Sequence, residues 1–327
     1  MVRWLTAFFL IVFFGAGGFI FYQFTNVKEY PTLVRNYVLN IIPFKVEKEI
    51  TLNFSGDHIL GRSVNYLTTK SGDFTWSYKY ISNELSKSDL TIINLESPLL
   101  KECPLTNEGF IFCGDYRNIA GLSLAGVDLI GMANNHAGDY GIDGVKETTK
   151  HLESSGILVS GTLDNQVAYK GVGETKFAFL AFNSIGNEPG VLPANEELIK
   201  NLLVEARGNS DFVIVQMHWG NEYTKELTSF QKNMGKFLID NGADLVIGNH
   251  PHWIQDYEIY NGKYILYALG NFIFDQEWSK ETKEGVIAKF TIKNKKVSKL
   301  EFIPIEIRNY GQVFKTNNFD IIPREIK

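Results

Sequence analysis

The chain has 327 residues, 32 basic and 37 acidic side chains, a net charge of −5 and 44% hydrophobic content. That length and apolar share support a packed core, so a disulfide-stapled miniprotein and intrinsic disorder are excluded. The acidic balance argues against nucleic acid as a partner.

Residues 4–27 carry no charge. At about 1.5 Å per residue, a helix of that length crosses a hydrocarbon core of about 30 Å. The run is therefore expected to be a single-pass anchor in the cell membrane, after a cytoplasmic stub of residues 1–3, with the main domain extracellular. A cleavable signal peptide and a buried core helix are the alternatives. The small-residue stretch Gly15-Ala16-Gly17-Gly18 that would suit cleavage is followed by more apolar residues. Residues 28–48, with Pro31 and Pro43, read as a stalk or linker. The main domain is expected over residues 49–310, with a C-terminal tail over 311–327.

From residue 50 onward, short β-branched apolar runs alternate with amphipathic stretches, the pattern of an α/β or layered domain. The pattern predicts strands at 50–55, 90–95, 128–132, 176–182, 211–217, 244–247, 264–268, 285–292 and 298–304. It predicts helices at 76–87, 142–154, 195–206 and 225–241. In the last helix Leu227, Phe230, Met234, Phe237 and Leu238 follow helical spacing and are expected in the core. The only cysteines, Cys103 and Cys113, lie in the turn-rich stretch KECPLTNEGFIFCGD. They form either a loop-closing disulfide, as an oxidising compartment allows, or two free thiols; neither has C-x-x-C spacing.

The polar residues fall at the carboxyl ends of predicted strands, where α/β proteins assemble ligand sites. Asp57 follows the first strand in NFSGDHILGR, Glu96 the second in IINLESPL, and Asn135-His136 the third in IGMANNHAGDYG. His218 follows another in VIVQMHWGNEY, and His250 and His252 the next in LVIGNHPHWIQ. Five of the six histidines lie in these segments, leaving His151 on a helix surface. Imidazole nitrogens combined with carboxylates suit a borderline divalent ion such as Mn²⁺, Zn²⁺ or Fe²⁺. On an extended segment, alternate side chains share a face, so His250 and His252 are expected to aim both rings at one pocket. Asp139, in HAGDYGIDG, reads as a cap of the helix that follows.

The ordered set GDHILGR, NLESPL, NNHAGDYGIDG, HWGNEY and GNHPHWIQDYEIYNGKYILYALGNFIFDQ resembles the bacterial capsule-synthesis family of the CapA or PgsA type, linked with poly-γ-glutamate production. That family is similar in turn to the calcineurin-like metallophosphoesterases. The resemblance implies an α/β (α+β) fold, a four-layer αββα sandwich with a dinuclear metal centre. It implies Asp57 as a ligand of the first metal, Glu96 as the bridging carboxylate, and Asn135, His218 and His250 on the second metal. His252 would return to the first metal, His136 would be the acid at the leaving group, and Arg62 would neutralise substrate oxygens. The superfamily pattern has His two positions after the first Asp, where this chain has Ile59. One or two ions are accordingly expected.

Glu222 is expected at the substrate or as a solvated loop carboxylate. Asn271 is expected at the substrate or as a hydrogen-bond donor behind it. The implied function is a membrane-anchored metallophosphatase-like protein in poly-γ-glutamate capsule synthesis or export. A non-catalytic accessory subunit and a general extracellular metal-dependent phosphoesterase are the alternatives. The implied partners are the membrane, other subunits of a capsule polymer synthase, and an anionic polymer or phosphorylated substrate.

Overall fold

Alternation along the first strand sets the architecture. In β1 (Ile50–His58), Leu52 and Phe54 enter a core shared with strands of a second sheet. Asn53 faces the other way, where its amide donates to Leu85 O (3.1 Å). This is the computed structural model of the protein, and it describes residues 49–326. The anchor expected over residues 4–27 and the stalk over 28–48 lie outside the described residues. Among the described residues, no helix is long and apolar enough to cross a membrane.

The chain continues through β2 (Leu90–Leu95), the short pair β3 (Leu99–Leu100) and β4 (Gly114–Asp115), β5 (Leu129–Gly131) and β6 (Leu158–Ser160). It then builds a second sheet from β7 (Val167–Val172), β8 (Thr175–Asn183), β9 (Phe212–His218), β10 (Leu245–Asn249), β11 (Ile254–Tyr260) and β12 (Lys263–Leu269). Finally it returns to the first sheet with β13 (Asn271–Ile273), β14 (Glu284–Lys293), β15 (Lys296–Arg308) and β16 (Gln312–Lys315), and ends in the second with β17 (Glu325–Ile326). The first sheet runs β16-β15-β14-β1-β2-β5-β6 with β13 beside the end of β1; the second runs β17-β11-β12-β10-β9-β8-β7. Within them β1, β2, β5 and β6 are mutually parallel, as are β8, β9, β10 and β12.

Alternate residues of each sheet feed different cores. Phe54, Ile92 and Phe290 of the first sheet meet Phe179, Ile214 and Ile247 of the second between the sheets. On the outer face of the first sheet, Ile93, Ile130 and Val159 pack against Val64, Leu122 and Leu152 from the helices α1 (Arg62–Ser71), α3 (Ile119–Leu124) and α4 (Gly141–Ser154). A four-residue helix, α2 (Ser82–Leu85), adds Leu85 there. On the outer face of the second, Leu180, Val215 and Val246 meet Leu202 of α5 (Glu196–Asn209) and Leu238 of α6 (Ser229–Asp240).

Several expectations need correction. The helix expected over 76–87 is only Ser82–Leu85; before it, Trp76, Tyr78 and Ile81 donate to carbonyls three residues back in a run of turns. Tyr78, Ile81 and Leu85 still reach the core, so the apolar spacing held while the backbone did not. The α6 helix begins at Ser229 because Thr228 and Gln231 close a capping box there. Helices α1 and α3 and strands β3, β4, β6, β7, β11, β13, β16 and β17 were not anticipated. Residues 312–315 and 325–326 of the expected tail are edge strands of the two sheets.

Candidate metal centre

The carboxyl ends of β1, β2, β5, β9 and β10 converge. Asp57 sits within β1, just past a register shift against β2. There Gly56 lets the strand press on the turn at Gly270, whose carbonyl oxygen would lie 1.8 Å from any added Cβ. Asp57 is thereby set opposite Asn271. Glu96 follows β2, with its N–H on His58 O (2.9 Å). His218 ends β9, and His250 follows β10.

His250 and His252 are brought together by a route different from the one expected. The His-Pro-His segment is not extended: both histidines take positive φ, 97° and 59°. Non-glycine residues there cost about 1–3 kcal/mol each and persist where surrounding structure enforces them. The rings end 5.9 Å apart, centroid to centroid.

Donor atoms crowd into this space. His218 Nε2 lies 2.7 Å from Asn135 Oδ1, 3.1 Å from His250 Nδ1 and 3.4 Å from Glu96 Oε1. One ring nitrogen offers a single proton or a single lone pair, so hydrogen bonding cannot satisfy all three contacts. His252 Nδ1 faces Asn271 Oδ1 (2.9 Å) and Asp57 Oδ2 (3.2 Å), while its Nε2 is 4.0 Å from Glu96 Oε1. Asp57 also accepts from Asn94 Nδ2 (2.8 Å) and from the His250 N–H (3.2 Å). By contrast, both carboxylate oxygens of Glu96 are buried without a hydrogen-bond partner. Two overlapping donor sets, Glu96–His250–His252 and Asp57–Glu96–His218, each keep their ligand atoms within 4.8 Å of one another.

Electrostatics divide the groups. Burial, aided by the charge of Asp57, pushes the Glu96 carboxyl up to about 8. Burial would raise Asp57 as well, but the hydrogen bond and charge of His252 hold it down to about 2. Burial opposes a charge on His252, yet Glu96 and Asp57 outweigh it and lift the ring to about 9. Burial takes His218 down to about 3, and burial with the two neighbouring rings takes His250 to about 2. His218 and His250 are therefore neutral and carry lone pairs suited to a cation.

The other expected residues are distributed around this cluster. His136 Nδ1 bonds Asp139 Oδ2 (3.0 Å), and its ring packs on Phe112 at 4.1 Å between centroids. Burial would lower it, but Asp139 and Glu96 hold it above the ordinary histidine value. Asp139 does not cap α4, whose N-cap residue is Tyr140 with no side-chain cap; it serves His136 instead. Arg62 is ion-paired with Asp275, and its guanidinium lies over the rings of Phe112 and Phe274. Asn271 is fully buried, accepting from His252 and donating to Thr282 O (2.9 Å). Glu222 is exposed at the rim, where Glu96, His218 and His252 feel its charge. His58 points away, as strand alternation requires, bonding Ser55 Oγ (2.7 Å) and Tyr78 Oη (2.8 Å). Ile59 packs with Phe112 and Phe274.

Sequence reasoning missed the residues that hold the ligands. Asn134 donates to Asn94 Oδ1 (3.1 Å) and Leu95 O (2.7 Å), and Asn94 in turn fixes Asp57. Both stand inside recognised motifs, and the doubled Asn of NNH was the available signal. Tyr223, the end of HWGNEY, stacks on His252 at 5.7 Å, and Phe112 gave no signal.

A family model described as bacterial capsule synthesis protein PGA_cap matches residues 51–276. The chain is 30% identical over 274 residues to PGA biosynthesis protein CapA of Bacillus subtilis (strain 168), covering 79% of this chain and 72% of that protein. It is 27% identical over 288 residues to capsule biosynthesis protein CapA of Bacillus anthracis, covering 82% and 70%. Among solved structures, a novel phosphatase from Mycoplasma pneumoniae superposes with a TM-score of 0.54 at 15% identity, covering 81% of this chain and 95% of that one, a likeness of fold.

Proposed function

This chain belongs to the bacterial capsule synthesis protein family PGA_cap, and on that premise we propose that it is a membrane-anchored, outward-facing metallophosphatase-like protein serving poly-γ-glutamate capsule synthesis or export. The observation that carries the proposal is Glu96, whose two buried oxygens have no hydrogen-bond partner among three imidazoles and a second carboxylate. A buried carboxylate in that position needs a proton or a cation, because an unpaired buried charge costs several kcal/mol.

Glu96, Asn135, His218 and His250 would hold the ion most firmly. Asp57 and His252 already satisfy much of each other's bonding, and Ile59 contributes apolar packing where a further ligand would be needed. The mixed N and O donors fit Mn²⁺, Zn²⁺ or Fe²⁺. When bound, such an ion supplies Lewis-acid stabilisation of negative charge developing on a phosphoryl or acyl oxygen. Asp139 accepts the Nδ1–H of His136 and, with Glu96, favours the protonated ring, whose Nε2–H can be given to a departing oxygen or nitrogen. That role is typically worth 10²–10⁴-fold in rate.

The test is His136→Ala, with metal content, membrane level and polymer output measured on the same strain. Wild-type protein is expected to carry the divalent ion, and the variant to keep the ion while losing capsule output. Absence of metal from the wild type would remove the centre, whereas normal output from the variant would make the protein a binding subunit.

A further inference from the structure

The loop closed by Cys103 and Cys113 bears on His136 through two contacts. Phe112, the neighbour of Cys113, lays its ring against the imidazole at 4.1 Å and 34°. The Phe112 N–H also donates to Asp139 Oδ2 (2.6 Å), the same oxygen that holds His136 Nδ1. Charge on His136 is felt by Glu96, His218 and His250, so this imidazole stands close to the donor cluster.

The tip of the loop is weakly held. Leu105, Phe110 and Ile111 are 46%, 83% and 63% exposed, so the apolar tip stands largely in solvent. Arg62 donates from Nη1 to Gly109 O (3.2 Å) and lays its guanidinium over the Phe112 ring, and Asn65 Nδ2 approaches Cys103 Sγ at 3.5 Å. Phe112 and Cys113, 3% and 5% exposed, are the buried stem. The two cysteines have Cα atoms 5.8 Å apart and are bonded.

We propose that this loop is an oxidation-dependent wall of the centre: the Cys103–Cys113 disulfide seats Phe112 on His136 and Asp139, and so fixes the imidazole only where disulfides persist. The proposal rests on the reading of the cluster as a working centre. Phe112 is a positioning residue in it, because it acts through His136 and Asp139. Opening the loop needs a dithiol reductant: its thiolate attacks one cysteine sulfur, the S–S bond breaks and frees the other cysteine, and its second thiol then displaces the attacked cysteine from the mixed disulfide. Two electrons pass to the protein, leaving two cysteine thiols and the oxidised dithiol.

Histidine ring resonances of the full chain loaded with Zn²⁺ test this without any substrate. They are recorded for oxidised protein, after dithiothreitol, and for the Cys103→Ser/Cys113→Ser double variant; His136→Gln identifies the signal. In oxidised protein the His136 ring protons are expected to be displaced upfield by the phenyl face of Phe112. Reduction or the double substitution removes that displacement, oxidised glutathione restores it in the wild type only, and His58, packed elsewhere against Phe272, does not move. A His136 signal indifferent to reduction overturns the proposal, as does a His58 signal that moves with it, since that marks general loosening. Zinc content on the same samples is expected to survive reduction. Failure of the oxidised protein to bind zinc sinks the metal reading instead, while the ring signal still decides the role of the loop.

Discussion

Glu96 governs the energetics of the centre. Its carboxyl is lifted from 4.5 to about 8 by burial and by Asp57, so without a cation the folded protein keeps a proton that the unfolded chain releases. The stability from that group is present below pH 4.5 and is lost as pH rises toward 8, at about 1.4 kcal/mol per pH unit. Glu96→Gln removes the titration and keeps the shape. In chelator at pH 7 the variant is expected to be more stable than wild type by about 3 kcal/mol, an advantage that fades toward pH 4.5. With Zn²⁺ present the order reverses, because the neutral amide is the poorer ligand. Urea unfolding under the four conditions measures the crossing, and a variant less stable in all of them contradicts a raised Glu96. At this scale the sequence was informative because histidine is rare and its placement at strand ends is improbable by chance. Of the five such histidines, three supply the donor sets, His136 stands beside them on Asp139, and His58 is turned to the opposite side by strand alternation. The roles of Asn94 and Asn134 were hidden, because an amide that orients a ligand is recognised only by the partner that folding brings to it.

Element ends do the positioning, and a single methyl group can test that. Gly56 carries no donor, yet an added Cβ meets Gly270 O at 1.8 Å and Gly270 C at 2.7 Å, both backbone atoms that cannot rotate away. The Asp57 N–H donates to that same Gly270 O (3.1 Å), so pushing β1 aside moves a candidate ligand and its support by β13 together. Gly56→Ala is expected to cost about 2–3 kcal/mol and to lower metal content. Gly171→Ala in β7, where nothing lies within 4 Å, should stay within about 0.5 kcal/mol of wild type. Comparable losses in both variants would show that the close approach of β1 to Gly270 is not what matters. The same elements explain where the pattern was readable. Strands β8, β9 and β10 are buried on both sides and read as continuous apolar runs. Helix α1, RSVNYLTTKS, has a weak apolar face and no side-chain cap, so it depends on the packing of Val64 rather than on local preference.

At the scale of the whole molecule, alternating strands and helices fit one open α/β sheet as well as two stacked ones. Only pairing reveals that the chain changes sheet between β6 and β7 and returns at β13; the two-sheet expectation came from the motif resemblance. Closure by β16 and β17 was illegible because edge strands this short carry no periodicity. The structure joins Cys103 to Cys113, and such a bond persists outside the cytosol. Residues 4–27 form a charge-free run long enough to span a bilayer, whereas no described helix can do so. The prediction is that residues 49–326 face outward on a retained anchor. Protease added to intact cells should digest the domain while a cytosolic marker survives, and the protein should stay with the membrane fraction after a high-salt wash. Full protection would place the domain inside. Release of an intact domain by salt would mean that the apolar segment has been cleaved, since charge screening at high ionic strength strips electrostatic attachment and leaves a buried apolar helix in place.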